Sequence, residues 1–198
     1  MNTNFAESVT KTNLLKAFAG ESQARNRYTI AAECAKKNNL YVVEAVFKFT
    51  AEQERAHAKV FYDFLKQFSG ENIEINGSYP IDNYDNVIKL LRSGQHNEFE
   101  EYDTVYKEFG NIAKDEGFHQ ISAAFNNIAE IEKIHGDRFG MLAELMESNK
   151  LFVSDIEAKW MCLNCGYVFS GKEVPQNCPV CTHDKGYFIR VELAPYSK

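Results

Sequence analysis

The sequence predicts a mainly α protein: a four-helix bundle with one long crossover, followed by a small C-terminal β domain built on a metal knot. Three observations carry this expectation. Glu54-x-x-His57 and Glu132-x-x-His135 sit inside apolar stripes of helical period, and Glu21 and Glu98 occupy matching places on two further helical stretches. The halves repeat, with 33 residues from Glu21 to Glu54 and 34 from Glu98 to Glu132. Beyond Asn149 the helical period stops, and Cys162-x-x-Cys165 and Cys178-Pro-x-Cys181 stand among Gly, Pro and Asn.

The first helix is read from Leu14, Phe18, Glu21, Arg25 and Tyr28, which recur every three or four residues and so share a face. Asn38-Asn39 ends it. The second face runs Val43, Phe47, Thr50, Glu54, His57, Phe61, Phe64, Phe68 and stops at Ser69-Gly70. From Glu71 to about Gln95 the pattern weakens around Gly77, Pro80 and Gly94, with a short helix expected inside Asn83–Arg92. A connection this long marks a crossover, so the next helix need not be an antiparallel neighbour. The third face reads Glu98, Glu101, Val105, Phe109, Ile112. Gly117 then separates it from the fourth: Phe118, Ile121, Phe125, Ile128, Glu132, His135, Phe139, Leu142, Met146. Two helical hairpins joined by a crossover, with polar positions meeting at the centre, make a ferritin-like bundle over residues 1–149. Residues 150–198 form a domain too small to fold on its apolar core alone, which points to metal or disulfides.

Composition narrows the function. The 198-residue chain carries a net charge of −6, which argues against a general nucleic-acid or anionic-membrane binder. The stretch Leu40–Phe49 is short and interrupted by Glu44 and Lys48, so it cannot span a bilayer. Residues 1–7 show no basic start and no apolar core of a secretory signal, so the expected location is cytoplasmic. Four of the five cysteines fall in C-x-x-C pairs, which in that setting reads as a metal site rather than a disulfide framework. Cys34 reads as a small buried hydrophobe. His96, His119 and His183 have no matching partners and read as surface or turn residues.

Positions i and i+3 of a helix lie on one face about 5–6 Å apart. Each Glu-x-x-His thus presents an oxygen and a nitrogen to one point. Two such helices face to face can hold two cations, with Glu54 and Glu132 bridging and Glu21 and Glu98 capping the ends. Oxygen-rich ligation with one imidazole per metal suits iron or manganese. A solvated helix face is the usual fate of any single Glu. It fails for the set, because Glu54, His57, Glu132 and His135 continue lines of Val and Phe. Glu101 adds a fifth carboxylate where the first half has Ala24, making one metal position unlike the other. The alternative for Glu101 is a helix N-terminal charge favoured by the dipole. Tyr28 and Tyr106, about two turns beyond Glu21 and Glu98, are candidates to hydrogen-bond ligand carboxylates or a bound oxygen species.

Cys162, Cys165, Cys178 and Cys181 form two knuckles whose four thiolates fit tetrahedral zinc or a single iron. Spacing alone favours structural zinc. A one-electron relay beside a di-metal site that consumes electrons favours iron.

In this order of motifs, over essentially its whole length, the chain resembles the rubrerythrin family. The shared features are Glu21, Glu54-x-x-His57, Glu98-x-x-Glu101, Glu132-x-x-His135, Cys162-x-x-Cys165-Gly-Tyr and Cys178-Pro-x-Cys181. The twelve residues between the cysteine pairs match that family's shortened rubredoxin-like domain. The resemblance implies a non-haem di-iron peroxidase reducing hydrogen peroxide to water, with electrons entering through an Fe(Cys)4 site. The donor it implies is a rubredoxin-type protein or a separate NADH-dependent reductase. It further implies exchange of one iron between His57 and Glu101 with redox state, and a head-to-tail homodimer. A linker of about a dozen residues, 149–161, leaves the end of the fourth helix; it is expected to be too short to reach the middle of its own bundle, so electrons should cross between subunits. Two other classes fit less of the pattern. A ferroxidase or iron store needs neither Glu101 nor a redox domain, and a zinc-ribbon adaptor leaves the buried carboxylates unexplained.

Overall fold

The computed structural model describes residues 3–194. Helix α1 (Val9–Lys37) begins at Ser8, whose side chain accepts from the Lys11 N–H and so satisfies one free amide of the first turn. It ends at Asn38–Asn39, where Asn39 adopts a left-handed conformation at φ 57° and reverses the chain. Helix α2 (Tyr41–Phe64) returns alongside α1. It stops short of the expected end: Lys66–Phe68 form a separate 3₁₀ turn before Gly70, at φ 93°.

The crossover then runs over residues 69–86 to helix α3 (Val87–Glu100). The short helix expected inside Asn83–Arg92 and the start of the face at Glu98 belong to one element, α3. Gly94 lies inside it as a point of close approach: a Cβ there would sit 2.9 Å from the Phe139 ring. Immediately after α3 comes a π-helical segment, Glu101–Val105, in which the Tyr106 N–H donates to the Glu101 carbonyl. Helix α4 (Tyr106–Asp115) continues the same rod, and α5 (His119–Glu147) packs along both.

Side chains at heptad offsets explain the core. Phe47 and Phe61 lie seven residues either side of Glu54, and Phe125 and Phe139 seven either side of Glu132. One apolar layer gathers Tyr28, Phe47 and Phe139, with ring centroids 5.0–6.1 Å apart. The other gathers Tyr106, Phe61 and Phe125 at 4.9–5.9 Å. The acidic and histidine positions lie along the helices between these layers, sealed above and below.

The C-terminal unit is a three-stranded antiparallel sheet of β1 (Val153–Cys162), β2 (Val168–Glu173) and β3 (Phe188–Arg190), in the order β2-β1-β3. Trp160 fills its centre and donates from Nε1 to the Gly171 carbonyl at 2.9 Å. Because β1 starts at Val153, the connection from α5 is only residues 148–152, much shorter than expected, and Leu151 belongs to the bundle core. The sheet seats on the α1–α2 end of the bundle: Tyr41 stacks on Tyr187 at 4.1 Å, and Val42 packs with Ile189. Among the described residues no helix is long and apolar enough to cross a membrane.

Candidate metal centres

The four inner helices bring seven of the expected residues to the bundle centre, six of them into two overlapping sets. Glu21, Glu54, His57 and Glu132 form one, and Glu54, Glu98, Glu132 and His135 the other, with the donor atoms of each within 4.8 Å of one another. Glu54 and Glu132 belong to both. All six residues are buried. The sets mirror each other closely. His57 Nδ1 lies 2.9 Å from Glu132, 3.2 Å from Glu54 and 3.8 Å from Glu21. His135 Nδ1 lies 2.8 Å from Glu132, 3.0 Å from Glu54 and 3.7 Å from Glu98. The two imidazoles are nearly parallel, 5.6 Å apart at 17°.

Proximity here does not mean satisfaction. Glu21 Oε2, Glu54 Oε1, Glu98 Oε2, both Glu132 oxygens and both His135 nitrogens are buried without a hydrogen-bond partner among the described residues. Orphaned polar atoms of this kind cost on the order of 1–3 kcal/mol each, more when charged. Electrostatics give the same picture. Burial pushes Glu21 well above the ordinary carboxylate range, and the charges of Glu132 and Glu54 push it further. Burial also raises Glu132, followed by Glu54 and Glu98. Burial alone would lower His135, but Glu132, Glu54 and Glu98 overturn that and hold its pKa high. A buried cluster that cannot hold all its negative charge by itself fits two cations. The 4.8 Å spread suits ligand distances of about 2.0–2.6 Å from a central ion.

The tyrosines tie the halves crosswise. The Tyr28 hydroxyl, on α1, donates to Glu98 Oε1 on α3, and the Tyr106 hydroxyl, on α4, donates to Glu21 Oε1 on α1 at 2.6 Å. Each ring is buried in one of the aromatic layers, so each carboxylate is held by a phenol that cannot swing away.

Glu101 is the seventh residue, and it stands outside both sets. It is partly exposed and lines a cavity of about 300 Å³ between α1, the crossover and the π segment. Glu100, beside it, is exposed. The π segment was not foreseen, although its signal is visible in the spacing. Tyr28 follows Glu21 by 7 residues, Tyr106 follows Glu98 by 8, and the second half-repeat is likewise one residue longer than the first. The wide turn absorbs that residue and restores Tyr106 to the place matching Tyr28. Also unforeseen is a polar clamp beside the cluster. Asp82 accepts from Arg27 Nη1 and Asn97 Nδ2, each at 2.7 Å, tying the crossover to the neighbours of Tyr28 and Glu98. His96 and His119 are exposed. Cys34 is half-buried rather than enclosed, with its sulfur 3.5 Å from the Asp85 carbonyl.

The four C-terminal cysteines converge separately. Cys162 and Cys181 sulfurs are 3.7 Å apart, as are those of Cys165 and Cys178. That is far beyond a disulfide bond of about 2.05 Å. It matches the edge of a tetrahedron, about 3.8 Å for metal–sulfur bonds near 2.3 Å. The His183 backbone N–H brings the Cys181 thiol down to about 6, while burial pushes Cys162 up to about 12. Amides also face sulfur at Cys162, from Cys165 and Asn164. His183 sits against this site, its ring edge-on to Tyr187 at 4.7 Å.

Fold and site together define a ferritin-like carboxylate bundle for a metal pair, joined to a rubredoxin-like four-cysteine domain. The family model for rubrerythrin matches residues 12–143, and that for the rubrerythrin rubredoxin-like domain matches residues 160–189. The chain is similar to Rubrerythrin-1 of Clostridium acetobutylicum, 45% identical over 90% of this chain and 92% of that one. It is 42% identical to a rubrerythrin of Porphyromonas gingivalis over 95% of this chain and 92% of that one. Among solved structures, the fully reduced state of nigerythrin is 25% identical, with a TM-score of 0.63 over 96% of this chain and 93% of that one. The chain belongs to the rubrerythrin family. It accordingly has a di-iron site in its bundle and a rubredoxin-like iron site on its four cysteines, and it is an iron-based oxidoreductase.

Proposed function

We propose that this protein is a non-haem di-iron peroxidase that reduces hydrogen peroxide to water in defence against oxidative stress, acting in the cytoplasm. The observation that carries the reading is the place of Glu101: a carboxylate on the wall of a cavity beside the di-metal clusters, belonging to neither. When bound, the iron pair supplies the two electrons that peroxide takes up as it accepts two protons and leaves as two waters. Glu21, Glu54, His57, Glu98, Glu132 and His135 hold the pair, and Glu101 is the exchangeable ligand that competes with His57. Tyr28 and Tyr106 fix Glu98 and Glu21 so that the charge change is met without rearranging the bundle. The aromatic layers cover the cluster on both sides, and the cavity approaches it through Glu101 and Tyr106.

Electrons enter through Cys162, Cys165, Cys178 and Cys181, from a rubredoxin-type protein or an NADH-dependent reductase. The short connection at residues 148–152 and the seat on the α1–α2 end support delivery to the partner of a head-to-tail homodimer. A ferroxidase role shares the bundle but leaves Glu101 and the cysteine domain without a task.

Cys162→Ser tests the relay. The variant should lose the red colour of oxidised Fe(Cys)4, keep the iron pair, and still be oxidised by peroxide after chemical reduction. Donor-linked turnover should collapse; normal turnover would reject the assignment. Turnover with peroxide compared with oxygen separates peroxidase from ferroxidase. A mixed dimer of Cys162→Ser with Glu54→Ala/His57→Ala should be active if electrons cross between subunits. Absence of donor-dependent turnover in such a dimer, with its remaining sites metallated, would sink the crossing.

A further inference from the structure

The cavity that reaches Glu101 has a built outer wall. Its inner side is made by small residues of α1, Ala17 and Gly20, with Glu101 and Tyr106 across from them. Its outer side is the crossover segment 76–80, in which the Tyr79 ring lies over α1, 3.7 Å from where a Cβ on Gly20 would stand. The Tyr79 hydroxyl donates to the Lys16 carbonyl at 3.0 Å, pinning the ring to α1, and the ring is 38% exposed, with water on one side and the cavity on the other. Gly77 makes this pose possible: a Cβ there would lie 2.9 Å from the ring. The segment is moored just beyond, where Asp82 accepts from Arg27 and Asn97. That mooring is largely buried, the Arg27 and Asp82 side chains being 13% and 15% exposed. With Asp82 mooring one side and Ile73 packed on the bundle core at the other, the tip between them, held by the Tyr79 hydrogen bond, can open without unfolding.

We infer that Tyr79 is the gate of the entry route to the carboxylate cluster, a specificity-determining residue that admits hydrogen peroxide and small cations and turns away bulky hydroperoxides. The size fits: about 300 Å³ holds several water-sized molecules, each about 30 Å³ in the liquid. The exposed carboxylate of Glu100 on the lining favours cations entering the metal-free protein. The hydroperoxide half of this inference rests on the peroxidase reading; the cation half does not.

The test compares wild type, Tyr79→Ala and Tyr79→Phe. In the iron-loaded protein, the ratio of kcat/KM for cumene hydroperoxide to that for hydrogen peroxide is measured. In the metal-free protein, the rate of Co²⁺ uptake into the bundle is followed by its visible absorption. Tyr79→Ala should raise the ratio by about tenfold or more, the scale on which a pocket wall discriminates by size, and should speed Co²⁺ uptake severalfold. Tyr79→Phe keeps the ring but loses the bond to Lys16, so it should speed uptake by less and leave the ratio near wild type. An unchanged ratio in Tyr79→Ala, with wild type active on hydrogen peroxide, overturns the gate, and so does unchanged Co²⁺ uptake. If wild type does not reduce hydrogen peroxide at all, the peroxidase reading falls, and Co²⁺ uptake alone still decides whether Tyr79 guards the route.

Discussion

The two halves of the bundle are built to one plan and differ by one residue and one carboxylate. α1 with α2 supplies Glu21, Tyr28, Phe47, Glu54, His57 and Phe61; α3–α4 with α5 supplies Glu98, Tyr106, Phe125, Glu132, His135 and Phe139. The histidine–carboxylate distances agree between halves to within 0.4 Å. The second half carries an extra residue, housed in the π turn that starts at Glu101. The matching position in the first half is Ala24, buried in an apolar layer. Single π turns inside α-helices often mark functional sites. Here the near-symmetric part carries the two donor clusters, and the asymmetric part faces the cavity.

The largest effect should come from breaking what the halves share. Glu54→Ala and Glu132→Ala each remove a residue common to both clusters, so each should abolish loading of the iron pair and reduce peroxide turnover to background. Metal analysis should then find only the cysteine-bound iron. Glu21→Ala and Glu98→Ala, each confined to one cluster, should retain more metal than either; equal loss in all four variants would mean the clusters are not paired as the distances imply.

Removing the asymmetry should have the next largest effect. Glu101→Ala is expected to keep both irons and slow peroxide turnover by about 10–100-fold, the usual range for a group supporting a metal site. Deleting Thr104, an exposed residue of the π turn, shortens the second half to the spacing of the first. It should leave Tyr106 facing Glu21, move Glu101 off the cavity, and slow turnover to the same degree. Crystal structures of the iron-loaded protein should show His57 ligating when reduced and Glu101 when oxidised. The same ligand in both states would remove the proposed exchange.

Smaller effects should be symmetric. Tyr28→Phe and Tyr106→Phe remove matching crosswise hydrogen bonds and should each weaken iron binding by about tenfold. A clear difference between them would show that the cavity side depends on its phenol more than the closed side does.

Proton linkage is the mildest test. Glu21 and Glu132 have raised pKa values in the metal-free fold, burial being the main cause, so folding takes up protons. That stability is present below the ordinary carboxylate range and is lost as pH rises through the raised values. His57 and His135 are also raised, against the pull of burial, through Glu54 for the first and Glu132 for the second. Their contribution is present below about 6.5 and lost as pH rises through the folded values. Glu54 is held low, and its contribution fails only in acid. The Tm of the metal-free protein should therefore fall by several degrees between about pH 6 and pH 8. Loading metal at neutral pH should reverse this with net proton release. A Tm that rises over that range would contradict the linkage.

Much of this molecule was legible in its residues because the signals are local and periodic. Glu-x-x-His on an apolar stripe can only be read on a helix, where three residues make one face. Two C-x-x-C pairs at short range specify a knot whatever surrounds it. The bundle, its crossover and the four-cysteine domain follow from those patterns. What the residues did not show lies where one element answers to another. Gly94 reads as a break in isolation, yet it continues a helix because Phe139 needs the space. The 34-residue repeat holds one residue too many, and only packing of Tyr106 against Phe61, Phe125 and Glu21 decides that a π turn absorbs it. The short connection to the cysteine domain, the Asp82 clamp and the lie of Tyr79 over the cavity are likewise long-range choices. Residue types and their spacing are enough to say which atoms can ligate. The tertiary structure decided which carboxylate stays outside the clusters and which side of the centre opens, because those depend on how neighbouring helices share a fixed volume.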